Sequence, residues 1–362
     1  MKVNQTLLSR TIAFLRFPLA AAVVLQHSVL DRVNVGGQML MSMEDYPVYY
    51  HVGYCLSKVC MRISVPTFFI ISGILFFYRM DGFTSSDYGH KLRKRLRTLL
   101  VPYVLWNLIV ILLLSLAWVV FPGLMSGNNK PLMDYTAGDW LAAFWNVTEG
   151  FFPVDGPMWY VRELMVMAVC SPVVYVLVKH LRHWALLLLG AVWLSGWMVM
   201  EVPGFNMEAF FFFSVGAYFS VNKKDPTELL RPCFPAALVL WLLLAASVGF
   251  VLQQPAEGYL TRLSVLAGVV AVSSMAVRFV EKGRWRANEF LTDSSFFVFA
   301  YHSLFLLFVM KLALKIAVPQ TELGMFLLYF ACPAVTIAVG LGLYYLLKRF
   351  VPRLTAILTG GR

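Results

Sequence analysis

The sequence predicts an all-α integral membrane protein, one domain over residues 1–362 built as a bundle of about ten transmembrane helices with both termini in the cytoplasm. Three observations predict it. The composition is 60% hydrophobic and 14% charged, with 29 Phe, 16 Tyr and 10 Trp in 362 residues, whereas a soluble domain carries about a quarter of its residues charged. Ten long apolar runs recur along the chain, and basic residues fall on alternate connections between them. Runs this long satisfy their backbone inside lipid as helices.

In order, the runs lie near residues 11–30, 63–78, 98–121, 157–178, 184–200, 206–221, 233–253, 260–280, 295–317 and 324–347. Most approach the ~20 residues that cross a hydrocarbon core, and apolar flanks extend the shorter ones. Lys2 and Arg10 precede the first run. The basic connections are "HKLRKRLR" (90–97), "KHLRH" (179–183), "NKKDPTELLR" (222–231) and "RFVEKGRWR" (278–286), with "KRFVPR" (348–353) after the last run. The intervening connections, 31–47, 122–156, 201–208, 253–262 and 319–324, are neutral to acidic. This is the positive-inside pattern, which sets the basic side in the cytoplasm. The net charge of +11 is thereby a matter of topology and calls for no nucleic acid. Lys311 and Lys315 run against the alternation, and snorkelling accommodates them. Within the longest connection, "DWLAAFWNV" (139–147) reads as a short amphipathic helix on the outer face. Glu201 and Glu208 fall at an outer turn and call for no special role.

No signal-peptide cleavage site follows the first run, and no repeat or soluble domain is evident. The five cysteines, Cys55, Cys60, Cys170, Cys233 and Cys332, show no C-x-x-C or Cys/His ligand spacing, so no metal is expected. Whether Cys55 and Cys60 pair stays open.

Polar groups inside the runs carry the functional signal. In "RFPLAAAVVLQH" (16–27), Arg16 and His27 are eleven residues apart, three helical turns plus about 20°, so both fall on one face about 16 Å apart along the axis. Ionisable groups within a span face the bundle interior or a watery cavity. Taken singly, Arg16 is equally explained by snorkelling and His27 by a bond to a neighbouring helix; together they mark one stripe. Arg162 and Glu163 lie in the fourth run, about 100° apart on the helix, and each calls for a partner elsewhere in the bundle. Ser64 and Ser72 lie in the second run, and His302 lies in the ninth. Lys91, Arg93, Lys94, Arg95 and Arg97 crowd the start of the third run. Headgroup attraction accounts for such a cluster; so does a cradle for an anionic cofactor, because guanidinium forks suit phosphates.

These segments together resemble the integral-membrane acyltransferase family three, the bacterial inner-membrane proteins that acylate surface glycans. The resemblance rests on Arg16 and His27 with ten residues between them, on "RISVPTFFIISGILFF" (62–77), "RKRLRTLLVPYVLWN" (93–107), "GPMWYVRELMVMAVCSPVVY" (156–175) and "SFFVFAYHSLFL" (295–306). These five blocks stand in order over nearly the whole chain. One departure concerns the basic block, where the family often shows two arginines three apart. Here Arg95 is followed by Thr98, while Lys94 and Arg97 restore the spacing with a lysine. The chain ends at "LTGGR", so the stand-alone type is expected.

The resemblance implies a multi-pass inner-membrane O-acyltransferase. An acyl-CoA donor, with acetyl as the expected group, is held at the cytoplasmic face, and a hydroxyl of a cell-surface or lipid-linked glycan accepts it. A sugar hydroxyl must lose its proton as it attacks a thioester, and an imidazole suits that task. His27 is the expected general base or transient acyl carrier. Arg16 is expected to bind the donor or stabilise developing negative charge, and Glu163 to orient a catalytic group. Arg93, Lys94, Arg95 and Arg97 are candidates for the coenzyme's phosphates. Arg162, Trp159, His302 and Ser72 are candidates for substrate contact, and Trp145 for stacking on a sugar. A transporter or flippase for a lipid-linked glycan is the alternative that buried Arg, His and Glu residues also fit. A scaffold subunit leaves the Arg16–His27 pair unexplained.

Overall fold

The computed structural model describes residues 5–30, 33–35, 38–42, 45–80, 82–120, 132–145, 152–199 and 201–361. Helix α1 (Gln5–Gln26) is followed by a short antiparallel hairpin of Val33–Val35 with Gln38–Met41. Helices α2 (Pro47–Phe77) and α3 (Ser85–Val120) come next, then α4 (Ala137–Trp145). Helices α5 (Gly156–Val169) and α6 (Ser171–Leu181) are joined at a bend. Then follow α7 (His183–Ser195), α8 (Met207–Val221), α9 (Phe234–Phe250), α10 (Glu257–Glu281), α11 (Glu289–Ile316), α12 (Glu322–Phe350) and α13 (Pro352–Leu358).

Six of these, α1, α2, α3, α10, α11 and α12, are long and apolar enough to cross a membrane, and α5 with α6 passes the same test as a bent pair. The chain is a multi-pass helical membrane protein. Helices α7, α8 and α9 are apolar but shorter. The fourth run, expected as one straight span over 157–178, breaks by 65° at Cys170. Pro172 has no N–H to continue the ladder and sits at the first turn of α6, the place in a helix that tolerates it. The expected helix within 139–147 is present as α4, and its last positions, 146 and 147, lie outside the described residues. The basic block at 90–97 continues helically into the third run. The basic tail expected at 348–353 runs from the last turn of α12 into the start of α13, and α13 is tied to α3 by the Trp106 indole N–H donating to the Leu358 carbonyl at 3.0 Å.

Helix α1 packs against α2, α10, α11 and α12, so the chain's first span is central to the bundle. The tightest pairing is α2 with α8. A Cβ on Gly73 would strike the Phe213 carbonyl oxygen, and one on Gly216 would strike the Ile70 carbonyl oxygen. These two glycines let the backbones touch, the small-residue packing that holds helices together in lipid. Helix α2 is irregular midway, with widened turns over Cys55–Cys60 and tightened ones over Met61–Ile63. Such irregularities re-aim side chains, and here Lys58 and Arg62 both reach the cavity that holds His27. Cys55 and Cys60 are free thiols.

Candidate active site

Two of the cavities beside α1 are bordered by Arg16 or by His27. The one at the Arg16 end encloses about 190 Å³, and Arg16, Ser72, Arg95, Thr292, Asp293 and Ser295 supply its polar groups. The one at the His27 end encloses about 260 Å³, with His27, Gln26, Lys58, Arg62 and Glu208 on its wall, and Trp159 beside them. Tyr160 and Phe299 line both. Their rings meet edge to face with centroids 5.8 Å apart, so an aromatic partition stands between the two spaces.

The two guanidinium groups at the Arg16 end are unsaturated. Neither Arg16 nor Arg95 makes a hydrogen bond or ion pair with another described residue, and Arg95 lies over the Phe76 ring at 5.6 Å. Asp293 shares the cavity but is engaged by Lys348 at 3.0 Å. Two planar forks facing one small space have the geometry that suits anionic or carbonyl oxygens. Of the basic block, Arg95 alone turns into this cavity among the described residues. Arg93, Lys94 and Arg97 are exposed, and Lys91 donates to the Phe76 carbonyl.

At the other end, His27 directly follows the last turn of α1, its N–H still bonded to the Val23 and Val24 carbonyls. Its ring is open to the cavity. His302 from α11 lies behind it, fully buried, with ring centroids 5.5 Å apart. The His302 Nδ1 hydrogen bonds to the Phe299 carbonyl at 2.5 Å and its Nε2 has no partner. A carbonyl accepts, so Nδ1 carries the proton and Nε2 presents a lone pair.

Arg162 and Glu163 do not line either cavity. The expectation of separate partners for them is corrected: they pair with each other at 3.1 Å, both 1% exposed. Long side chains that leave a helix 100° apart still converge when neither has water to turn to, and a buried charge needs its counter-charge. Arg162 also donates to the Trp145 carbonyl at 2.9 Å and lies over that indole at 5.6 Å, so the pair clamps the end of α4 on α5. Trp145 is therefore engaged by Arg162.

Glu208 is a second correction. It is 5% exposed, lines the His27 cavity, and stands 3.8 Å from Arg62 and 3.4 Å from the Trp193 indole N–H. Asn206 caps α8 by accepting the Glu208 N–H at 2.9 Å, and this short helix therefore begins inside the bundle. In sequence it falls at an outer turn between two apolar runs, and nothing there signals that it is buried. Tyr160 was missed because an aromatic in an apolar run reads as packing. Its hydroxyl lies 3.1 Å from Ser72 Oγ.

Just before α5, Asp155 is 1% exposed with neither carboxylate oxygen hydrogen bonded, and burial pushes its pKa well above the usual carboxylate range. A separate cavity of about 430 Å³, bordered by Lys179, Arg182, Lys223 and Lys224, includes none of the residues that line the Arg16 and His27 cavities. No trio of His, Cys, Asp or Glu placed to hold a metal occurs among the described residues.

A small chamber faced by two guanidinium groups, sharing an aromatic wall with a chamber faced by one imidazole that a second imidazole backs, has the parts of a group-transfer site. The chain belongs to the acyltransferase-3 family, matching its acyltransferase domain over residues 11–345, and is an acyltransferase. It is 30% identical over 327 residues to the succinoglycan biosynthesis protein ExoH of Rhizobium meliloti (strain 1021), covering 85% of this chain and 81% of that one. No solved structure matches.

Proposed function

We propose that this protein moves an acyl group, acetyl as the expected one, from acyl-CoA to a hydroxyl of a cell-surface or lipid-linked glycan in the bacterial inner membrane. The topology that goes with this reading is ten crossings with both termini in the cytoplasm, so the donor meets the Arg16 end and the acceptor the His27 end. Family membership favours transfer over transport, and the similar protein's name, which speaks of succinoglycan biosynthesis, favours a glycan acceptor. One observation carries the reading: Arg16 and His27 face adjacent cavities that share Tyr160 and Phe299.

In this mechanism Arg16 and Arg95 hold carbonyl or phosphate oxygens of the donor, while the exposed Arg93, Lys94 and Arg97 raise the local concentration of the anionic coenzyme. His27 takes the acceptor's proton as its oxygen bonds to the thioester carbon. The C–S bond then breaks with its electron pair going to sulfur, and the proton passes from the imidazole to the departing thiolate. The neutral His302, presenting Nε2, orients His27 from behind. Arg62, Glu208 and Trp159 are placed to contact the acceptor, and Ser72 to contact the donor through its cavity. Arg162 and Glu163 act as a structural clamp.

Mass spectrometry of surface glycans from cells with and without the protein tests this reading. An acyl-sized mass difference that depends on the protein is expected. Identical glycans, together with no acceptor-dependent release of coenzyme A by the purified protein, would overturn it.

A further inference from the structure

The division into two chambers raises a requirement that neither His27 nor Arg16 meets. If the donor's arm occupies the Arg16 cavity and the acceptor hydroxyl the His27 cavity, the thioester carbonyl lies where the two join. When the acceptor oxygen attacks, negative charge grows on that carbonyl oxygen, and a donor aimed there lowers the barrier. Two side chains line both chambers, Tyr160 and Phe299. Only one of them carries a polar atom.

Resting on the acyl-CoA reading above, we infer that Tyr160 is a catalytic residue of this enzyme: its phenol O–H, carried by a residue that lines both cavities, hydrogen bonds to the thioester carbonyl oxygen and stabilises the oxyanion. The ring is fixed in place. It packs against Phe69 with centroids 4.8 Å apart, against Phe68 at 5.9 Å and against Phe299 at 5.8 Å, and the residue is 8% exposed. Its hydroxyl is not sealed in that packing. It reaches Ser72 Oγ at 3.1 Å, and Ser72 itself lines the donor cavity. A neutral hydroxyl–hydroxyl bond of this length is weak and exchangeable. Either hydroxyl of this pair can donate, so the Tyr160 O–H can be turned to a carbonyl oxygen by rotation about the C–O bond, with the ring unmoved. Such preorganisation makes an oxyanion donor effective, since little reorganises at the moment of reaction.

The step balances without a co-reactant. The new C–O bond forms, the carbonyl π pair moves onto oxygen and is held by the Tyr160 O–H, and its return expels the coenzyme's thiolate. Tyr160 keeps its proton throughout, and the acceptor's proton travels by His27. The partition thus has two tasks: the rings separate the chambers and the hydroxyl activates what crosses.

The test is Tyr160→Phe in the purified full chain, which keeps the ring and removes one oxygen. Turnover with acetyl-CoA and acceptor should fall by about 10²–10³-fold, with affinity for a non-cleavable thioether analogue of acetyl-CoA within twofold of wild type and the thermal midpoint unchanged. Isotope-edited infrared spectra should show the bound thioester C=O stretch shifted to lower wavenumber in wild type and unshifted in Tyr160→Phe. A purely structural role for the ring leaves that band alone. Turnover within threefold of wild type, or a carbonyl band identical in the two proteins, would overturn the assignment while leaving the acyl-CoA reading intact. A wild-type protein that binds no acyl-CoA would instead remove the reading on which it rests.

Discussion

The chambers on either side of Tyr160 and Phe299 share two residues, and their polar chemistry is otherwise opposite. At the Arg16 end, two guanidinium groups face the space without hydrogen-bonded counter-charges, a lining suited to gripping oxygens and poor at moving protons. At the His27 end, an imidazole with a second imidazole behind it is joined by a carboxylate and two cations. Imidazole is the side chain whose ordinary pKa suits proton transfer near neutrality. The difference is that one helix, α1, presents a guanidinium to one cavity and leads into an imidazole at the other, the arrangement on which the proposed split between binding and chemistry rests.

The largest expected effect comes from the chemical end. His27→Ala should lower turnover by about 10²–10⁴-fold, the worth of a positioned general base, with donor affinity unchanged when both are measured on one purified preparation. A fall in donor affinity of the same size would merge the two chambers into one binding site. Next comes the binding end, where Arg95→Ala should raise the donor Kd by about 10–100-fold, the cost of losing charged hydrogen bonds. Neutralising the exposed Arg93, Lys94 and Arg97 together should do less, and added salt should erase that smaller effect. Equal losses from both sets would mean that the whole basic block, and no single member of it, grips the donor.

The smallest effect lies outside both chambers. The Asp155 carboxyl has its folded pKa raised by burial, so the unfolded chain gives up this proton first. Stability is therefore lost as pH rises above about 4, the ordinary value. Asp155→Asn should raise the thermal midpoint by a few degrees at about pH 8 and leave it unchanged at about pH 3. A lowered midpoint at pH 8 would show that the ionised carboxylate has a partner in the folded protein.

Much of the membrane architecture was legible because helices in lipid obey length and hydropathy. Arg16 and His27 could be set on one face by arithmetic alone, and both do border cavities. The break at Cys170 was not legible, since a proline at the start of a new helix and one inside a straight span look alike in a string of apolar letters. Glu208 was hidden for a related reason: its burial depends on where α8 begins relative to its neighbours. The mutual pairing of Arg162 with Glu163 and the inward turn of Arg95 alone depend on side-chain paths that helical angles do not specify. Tyr160 carries no local signal, because its significance lies in which two spaces its ring divides.

A structure of the protein with a non-cleavable thioether analogue of acetyl-CoA tests the division of labour most directly. The account predicts the analogue's arm beside Arg16 and Arg95, and its sulfur and acyl carbonyl at the Tyr160–Phe299 partition, with the carbonyl oxygen on the Tyr160 hydroxyl and the carbonyl carbon open toward the His27 side. An analogue seated wholly on one side of that partition, with its sulfur away from Tyr160, would contradict it.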